Sequence, residues 1–131
     1  SRAANAYTQV PMATSGAVAL NGMTTGASSL IVPRAGWYSI TGTFMVFEAA
    51  TTFGYGLGTV MVNGTRAIEG GVQSYSSSPT MALTYLVAGY VYLAAGAIIT
   101  LSGFGINSGT FQDNDTTTSN FLIVKEMLDI L

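Results

Sequence analysis

Apolar and polar residues alternate along most of the chain, in short runs separated by Gly, Pro, Asn and Ser. In residues 37–47, for example, Tyr38, Ile40, Phe44 and Val46 fall on every second position. This period of two is typical of a strand with one buried face. Similar runs are found at residues 55–62, 65–69, 81–93, 97–106 and 120–126, with weaker ones between residues 7 and 32.

The turns between these runs predict how the strands connect. Asn63-Gly64 stands between two runs, and both residues tolerate the positive φ that a two-residue type I′ hairpin turn needs. A further turn is expected at Asn21-Gly22. No run has a sustained period of 3.6, so no helix is predicted. About eight to ten short strands at this spacing indicate an all-β, antiparallel sandwich or barrel.

Four segments, taken in order, match the sequence pattern of a known family. In residues 28–42 the pattern is an apolar strand followed by Pro33, Gly36 and Tyr38. Residues 58–68 match a hairpin with Asn-Gly at its tip. Residues 92–101 match Leu-x-x-Gly-Asp-x-Val-x-Leu, with Ala97 in place of the Asp, and residues 120–124 match the closing strand.

Together these segments resemble the globular head of complement component C-one-q, in the tumour-necrosis-factor-like superfamily. The resemblance covers roughly residues 7–127 and implies a jelly-roll sandwich of about ten strands that forms a tight homotrimer. It also implies that Tyr38 and Phe121 meet other copies around the threefold axis, with Tyr92 as a third contact. The expected organisation is an N-terminal arm at residues 1–6, the jelly roll at 7–127 and a C-terminal tail at 128–131.

The composition adds an expectation of assembly. Apolar residues make up 49% of the chain and charged residues only 8%, against roughly 25% charged residues in an ordinary soluble domain. A permanent assembly tolerates so few charges because its subunits bury much of their surface. A Ser/Thr-rich secreted monomer is the alternative.

The residue types present exclude most enzyme chemistry. Cys and His are both absent, so Cys/His zinc sites and His-dependent nucleophilic catalysis are excluded. Glu48 and Glu69 are interpreted as solvated loop residues and not as a catalytic pair. Asp113 and Asp115 are a weak calcium candidate, with a polar turn as the alternative. We expect no enzyme activity and no cofactor.

The expected partners follow from charge and from apolar residues outside the predicted core. Four cationic residues are too few to neutralise a phosphate backbone, and no apolar run is long enough to span a membrane, so neither nucleic acid nor membrane is expected as a partner. Aromatic residues in predicted loops and an apolar tail are the candidate partner-binding residues: Tyr55, Tyr75, Phe111, Met127, Leu128, Ile130 and Leu131.

The function favoured by these inferences is that of a structural protein on the exterior of a virus particle. The Ser/Thr/Gly-rich sequence, without disulfide or signal-peptide pattern, resembles phage versions of the family more than secreted animal ones. We expect a trimeric capsid decoration protein of a bacteriophage, bound to the major capsid protein or another virion protein. The alternative is a tail-fibre knob that binds a receptor or a host-surface glycan. A secreted complement-like adhesion module is the weaker alternative.

Overall fold

Ten strands make up most of the chain that the computed structural model describes, which comprises residues 2–12, 23–26, 28–48, 54–75, 81–111 and 120–127. The strands are β1 (Thr8–Gln9), β2 (Thr24–Gly26), β3 (Ser29–Ile31), β4 (Gly36–Glu48), β5 (Gly54–Val62), β6 (Thr65–Tyr75), β7 (Met81–Leu93), β8 (Ile98–Gly105), β9 (Gly109–Phe111) and β10 (Phe121–Glu126).

The strands form two antiparallel sheets. One has six strands in the order β2-β3-β8-β5-β6, with β1 paired to β8. The other has four strands in the order β10-β4-β7, with β9 paired to β4. The predicted all-β class, with antiparallel sheets packed as a sandwich, is therefore confirmed.

The hydrophobic core lies between the inner faces of the two sheets. In β4 the buried positions alternate with more exposed ones, as the sequence pattern predicted. Phe44 is at the centre, stacked on Tyr85 with ring centroids 5.2 Å apart and edge-on to Phe111 at 5.8 Å. Such aromatic pairs contribute about 0.5–1.5 kcal/mol beyond the area they bury. From the facing sheet, Val60, Ile99 and Leu101 complete the same cluster.

The turn between β5 and β6 confirms the hairpin prediction. Asn63 and Gly64 have φ angles of 50° and 80°, as a type I′ turn requires. The turn is also tied to β8, because the Ile98 amide donates to Asn63 Oδ1 at 2.9 Å and the Asn63 amide donates to the Ile98 carbonyl at 2.9 Å. The predicted turn at Asn21-Gly22 lies outside the described residues.

The two sheets come together where β6 passes β7. Gly71 has φ 64°, and a Cβ there would clash with the carbonyl oxygen of Leu86. The Gln73 side-chain amide donates to the Thr84 carbonyl on the same flank. These contacts close the sandwich on this side, so β6 and β7 are not two separate open edges.

The N-terminal residues pack onto the C-terminal end of β8, at Gly105, and onto β9. The Arg2 amide donates to the Gly109 carbonyl at 2.7 Å, and the Gly109 amide donates to the Arg2 carbonyl at 3.0 Å. The Asn5 amide donates to the Gly105 carbonyl at 2.8 Å. Residues 2–6, which sequence analysis set apart as an arm, are thus hydrogen-bonded to the sandwich.

Candidate functional site

The most unusual surface is the outer face of the four-stranded sheet. Successive side chains on a strand point to opposite faces, so the positions between the core residues of β4, β7 and β10 all point outward. Eight of the eleven exposed large hydrophobic side chains in the described chain lie here. We call this set the outer apolar face: Trp37, Phe47, Leu86, Tyr90, Tyr92, Phe121, Ile123 and Met127.

The register of the strands gives this face a grooved profile. Along the central strand β4, the outward positions between Trp37 and Met45 carry Ser39, Thr41 and Thr43. Large side chains flank Ser39 and Thr43 on both sides, and Thr43 pairs with Phe121 of β10 and with Leu86 of β7. Thr41 has Ile123 on one side and the small Ala88 on the other. The small central residues therefore form a shallow groove with apolar walls. Exposure within the outer apolar face ranges from 36% for Phe121 to 67% for Tyr90.

One polar atom in the groove is not satisfied within the described residues. Thr43 Oγ1 is buried between the flanking side chains and has no hydrogen-bond partner there. A buried hydroxyl without a partner costs free energy, about 1–3 kcal/mol.

Charge is nearly absent from the outer apolar face. Lys125 is the one charged side chain among its described outward positions. At its margin Arg34 forms an ion pair with Glu126, so these two charges compensate each other. The hydrogen bond from the Arg34 guanidinium lowers the pKa of the Glu126 carboxyl below its ordinary value. The face is therefore suited to an apolar partner surface and not to a charged one.

The three residues predicted at the threefold axis occupy different places. Tyr92 and Phe121 lie on the outer apolar face, and Tyr92 packs edge-to-face against Trp37 with ring centroids 5.8 Å apart. Tyr38 lies in the core, with no exposed surface in the single chain, and its hydroxyl donates to the Arg34 carbonyl at 2.8 Å. Because residues alternate along β4, Trp37 takes the outward position beside it.

The predicted partner-binding residues are also separated by the fold. Phe111 was expected in an exposed loop, and this is wrong. It pairs with Val46 in β9, is 5% exposed and packs on Phe44. Tyr55 is exposed, but it lies in β5 and not in a loop, and Tyr75 ends β6. Met127 is exposed, and its amide donates to the Trp37 carbonyl at 2.9 Å.

The remaining predicted site residues, Leu128, Ile130, Leu131, Asp113 and Asp115, lie outside the described residues. Sequence reasoning also missed most of the outer apolar face. The signal was present in residues 86–92, where Leu86, Tyr90 and Tyr92 fall out of phase with the core residues of the same run. A strand with large apolar residues in both phases has two apolar faces, and one of them faces away from its own core.

The expectation that Glu48 is a solvated loop residue is wrong. Glu48 ends β4 and is 1% exposed. Both its carboxylate oxygens accept hydrogen bonds of 2.6 Å from Arg2, and Oε1 also accepts one of 2.8 Å from the Tyr85 hydroxyl. The pKa of Tyr85 is raised above its ordinary value. The larger cause is burial of the hydroxyl, and the second is its hydrogen bond to Glu48. Glu69 lies on the other sheet, so the two carboxylates do not form a pair.

A second exposed surface lies on the outer face of the six-stranded sheet. Phe104 stands between two tyrosines, with its ring centroid 5.0 Å from that of Tyr7 and 6.2 Å from that of Tyr55. The Tyr7 hydroxyl donates to Glu69 Oε1 at 2.8 Å, and Arg66 Nη1 donates to the Tyr7 oxygen at 2.9 Å. We call Tyr7, Phe104 and Tyr55, together with the Arg66–Glu69 pair, the aromatic strip.

Comparison with known proteins assigns no family to this chain. A scan against protein-family models gives no match, and a search of curated proteins gives none. Within the described ranges, no three His, Cys, Asp or Glu side chains lie together as a metal site requires. Nor does the described chain contain a helix with the length and apolar character needed to cross a membrane.

Proposed function

We propose that this chain is a non-enzymatic structural protein that assembles with copies of itself through the outer apolar face. The observation that carries the proposal is the concentration of exposed large hydrophobic side chains on that single face, with one described charge among them. Contiguous apolar patches on soluble proteins mark interaction surfaces. The chain as a whole has 8% charged residues, which suits a subunit that is rarely alone.

The energetics favour a permanent interface. Fully burying a side chain of the size of Leu, Ile or Phe contributes about 1.5–3 kcal/mol. Most residues of the outer apolar face expose about half of their surface, including Trp37, Leu86 and Ile123. Covering them together gives several kcal/mol, and obligate interfaces of this kind bury more than about 2,000 Å² in total.

Two features support a trimeric jelly roll as the form of this assembly. First, the chain passes repeatedly from one sheet to the other, between β3 and β4, β4 and β5, β6 and β7, and β7 and β8. Such alternation is how a jelly roll is wound. Second, the resemblance to the tumour-necrosis-factor-like family implies that Tyr92 and Phe121 meet other copies around a threefold axis, and both are exposed on the proposed face.

The setting that we propose is the exterior of a bacteriophage particle, as a capsid decoration protein bound to the major capsid protein or another virion protein. Its support is the Ser/Thr/Gly-rich, charge-poor sequence and the family resemblance. A second candidate function, a tail-fibre knob that binds a receptor or glycan, is favoured by the exposed aromatic strip. This strip lies on the sheet that self-association leaves free.

Self-association is tested by placing a charge on the outer apolar face. We expect the native chain to sediment as a trimer in analytical ultracentrifugation at micromolar concentration. Ile123→Lys, at a position 55% exposed in the single chain, should give monomers. Ile98→Lys is the matched control, because Ile98 is 43% exposed on the other sheet, and it should remain trimeric.

A native monomer, or an Ile123→Lys variant that stays trimeric, would contradict the proposed interface. A native dimer would contradict the threefold arrangement. The setting is tested separately by labelling phage particles with an antibody to the chain and viewing them by electron microscopy. Label over the shell indicates a decoration protein and label at fibre tips a knob, whereas unlabelled particles exclude both.

A further inference from the structure

The aromatic strip is placed so that self-association leaves it accessible. Its residues lie on β5, β6 and β8 and just before β1, all on the six-stranded sheet, whereas the outer apolar face belongs to the four-stranded sheet. Tyr55 is 38% exposed, and the Arg66 and Glu69 side chains are 58% and 41% exposed. From this geometry we propose that the aromatic strip is a binding site for a neutral pyranose sugar.

The rings of Phe104 and Tyr55 provide the apolar half of such a site, and Tyr7, whose ring Arg66 covers, packs against Phe104 and supports it. A pyranose has a flat face of C–H groups, which packs against the electron-rich face of an aromatic ring and loses water in doing so. Tyr7, just before β1, is followed across the sheet by Phe104 of β8 and Tyr55 of β5, with interplanar angles of 38° and 39° between neighbouring rings. The Phe104 and Tyr55 rings, with centroids 6.2 Å apart, are the part of this row that a sugar ring can pack against.

The polar groups stand at both ends of the row. At one end Arg66 supplies guanidinium N–H donors, Glu69 supplies carboxylate acceptors and the Tyr7 hydroxyl lies between them. At the other end Ser74 pairs with Tyr55 and is exposed. Sugar hydroxyls both donate and accept, so mixed donors and acceptors beside an apolar face suit a polyol ligand.

The charge balance argues for a neutral sugar. Arg66 Nη1 lies 3.1 Å from Glu69 Oε1, so its positive charge is compensated within the site. An acidic sugar would therefore find no uncompensated positive charge to repay the desolvation of its carboxylate or sulfate. A neutral sugar engages the same hydrogen-bonding groups without having to desolvate a charge.

The platform is also rigid. Tyr7 precedes Thr8, which pairs with Gly103 of β8, yet its hydroxyl reaches Glu69 on β6. The Tyr7 side chain therefore crosses over β8 and β5. On these two strands, Ser102 and Thr59 are 4% and 0% exposed. The Arg66 guanidinium lies 5.2 Å from the Tyr7 ring centroid and holds the ring from above. A preordered ring loses less conformational entropy on binding.

The platform is shallow, so a single site should bind weakly, with a Kd on the order of 1 mM. Three copies in one assembly compensate through multivalency. The proposal deepens the second candidate function, since it names the ligand class of a knob, but the binding itself does not require the trimer. In the experiment the chain is therefore clustered on a carrier, so that multivalent binding does not depend on self-association.

The experiment uses the full chain, tagged and clustered on a multivalent carrier, and an array of immobilised neutral oligosaccharides of glucose, galactose, mannose and N-acetylglucosamine. Sialylated and sulfated oligosaccharides are on the same array. We expect binding to one or more neutral sugars and a half-saturating concentration raised about tenfold or more by Tyr55→Ala. Tyr7→Phe, which removes one hydroxyl, should weaken binding severalfold. Ile98→Ala, on the same outer face but remote from the strip, is the control.

Circular dichroism shows whether each variant is folded. Titration of the native chain with the sugar identified on the array, followed by nuclear magnetic resonance, locates the site through changes in the amide chemical shifts of β5 and β8. The proposal is overturned by an array without neutral-sugar binding, by binding confined to charged sugars, or by Tyr55→Ala binding as tightly as Ile98→Ala. None of these outcomes bears on self-association, which sedimentation measures separately.

Discussion

Arg2 and Glu48 form a doubly hydrogen-bonded ion pair that joins the N-terminal segment to the end of β4, 46 residues away in sequence. Both contacts measure 2.6 Å, and both side chains have no exposed surface. The Arg2 guanidinium also donates to the Asn107 carbonyl at 2.6 Å. Gly105 leaves the space for this guanidinium, because a Cβ at that position would clash with it. The pair thus fixes the N-terminal segment against one end of the sandwich.

Removing one partner of this pair should destabilise the fold strongly. Arg2→Met leaves the Glu48 carboxylate buried without its counter-charge, which typically costs about 3–5 kcal/mol. We expect a loss of this size in the free energy of urea unfolding. The double variant Arg2→Met/Glu48→Gln removes both charges and keeps an acceptor for the Tyr85 hydroxyl, so it should recover a large part of the loss. Lys125→Met, at an exposed site, is the control. A single-variant loss below about 1 kcal/mol would show that the pair contributes little.

This ion pair also marks the limit of what the sequence predicted. Alternation in β4 and the Asn63-Gly64 turn are local signals, and both predicted the structure correctly. The partner of Glu48 depends on which distant segment lies beside the end of β4, and no local pattern contains that information. Phe111 was misplaced for the same reason, since a short polar stretch becomes a strand only when β4 pairs with it.

The sequence predicted the outer apolar face only in part. Alternation shows which residues of a strand share a face, but it does not show which of the two faces points away from the core. Tyr92 and Phe121, which the family resemblance implied at a threefold axis, lie on this face, whereas Trp37 and Tyr90 were not singled out. Alternation shows that Trp37 and Tyr38 point to opposite sides of β4. Which side meets the second sheet is settled only when both sheets are assembled.

Alkaline pH should destabilise the sandwich through Tyr85. Its pKa is raised above the ordinary value of 10.0, mainly because the hydroxyl is buried and secondly because it donates to Glu48. The folded state therefore holds this proton more tightly than the unfolded state. Stability should be unaffected by Tyr85 below about pH 10 and should fall as pH rises above it, where the unfolded chain ionises first. Urea unfolding between pH 8 and pH 11 measures this fall, and Tyr85→Phe should flatten it. An equally steep fall in Tyr85→Phe would contradict this assignment.

A β-branched side chain at position 64 should lower the free energy of unfolding through the hairpin turn. Gly64 has φ 80°, a conformation that β-branched residues avoid, and a Cβ there meets no atom within 4 Å. Gly64→Val should therefore lose about 1 kcal/mol or more through backbone strain alone. Gly64→Asn places a residue that tolerates positive φ at the same position and should lose less. Thermal unfolding of the two variants makes the comparison, and equal losses would argue against strain at this turn.

The C-terminal tail distinguishes the two proposed settings. Residues 128–131 lie beyond the last described hydrogen bond, between the Met127 amide and the Trp37 carbonyl. Their deletion should leave folding and self-association intact, as measured by circular dichroism and sedimentation. If the chain decorates a capsid, the deletion should abolish attachment to shells lacking the protein. If it is a fibre knob, sugar binding at the aromatic strip should continue unchanged. A truncated chain that no longer folds would instead assign the tail to the core of the sandwich.

Self-association should be nearly independent of salt. A charge-driven interface weakens as the Debye length shrinks from roughly 14 Å at 50 mM to about 4 Å at 500 mM salt. The outer apolar face has Lys125 as its one described charge, and the Arg34–Glu126 pair at its margin is already compensated. The trimer measured by sedimentation should therefore persist across this range, and Lys125→Gln should behave like the native chain. High salt strengthens apolar contacts if it has any effect. Dissociation into monomers at 500 mM salt would show that charged residues outside the outer apolar face hold the subunits together.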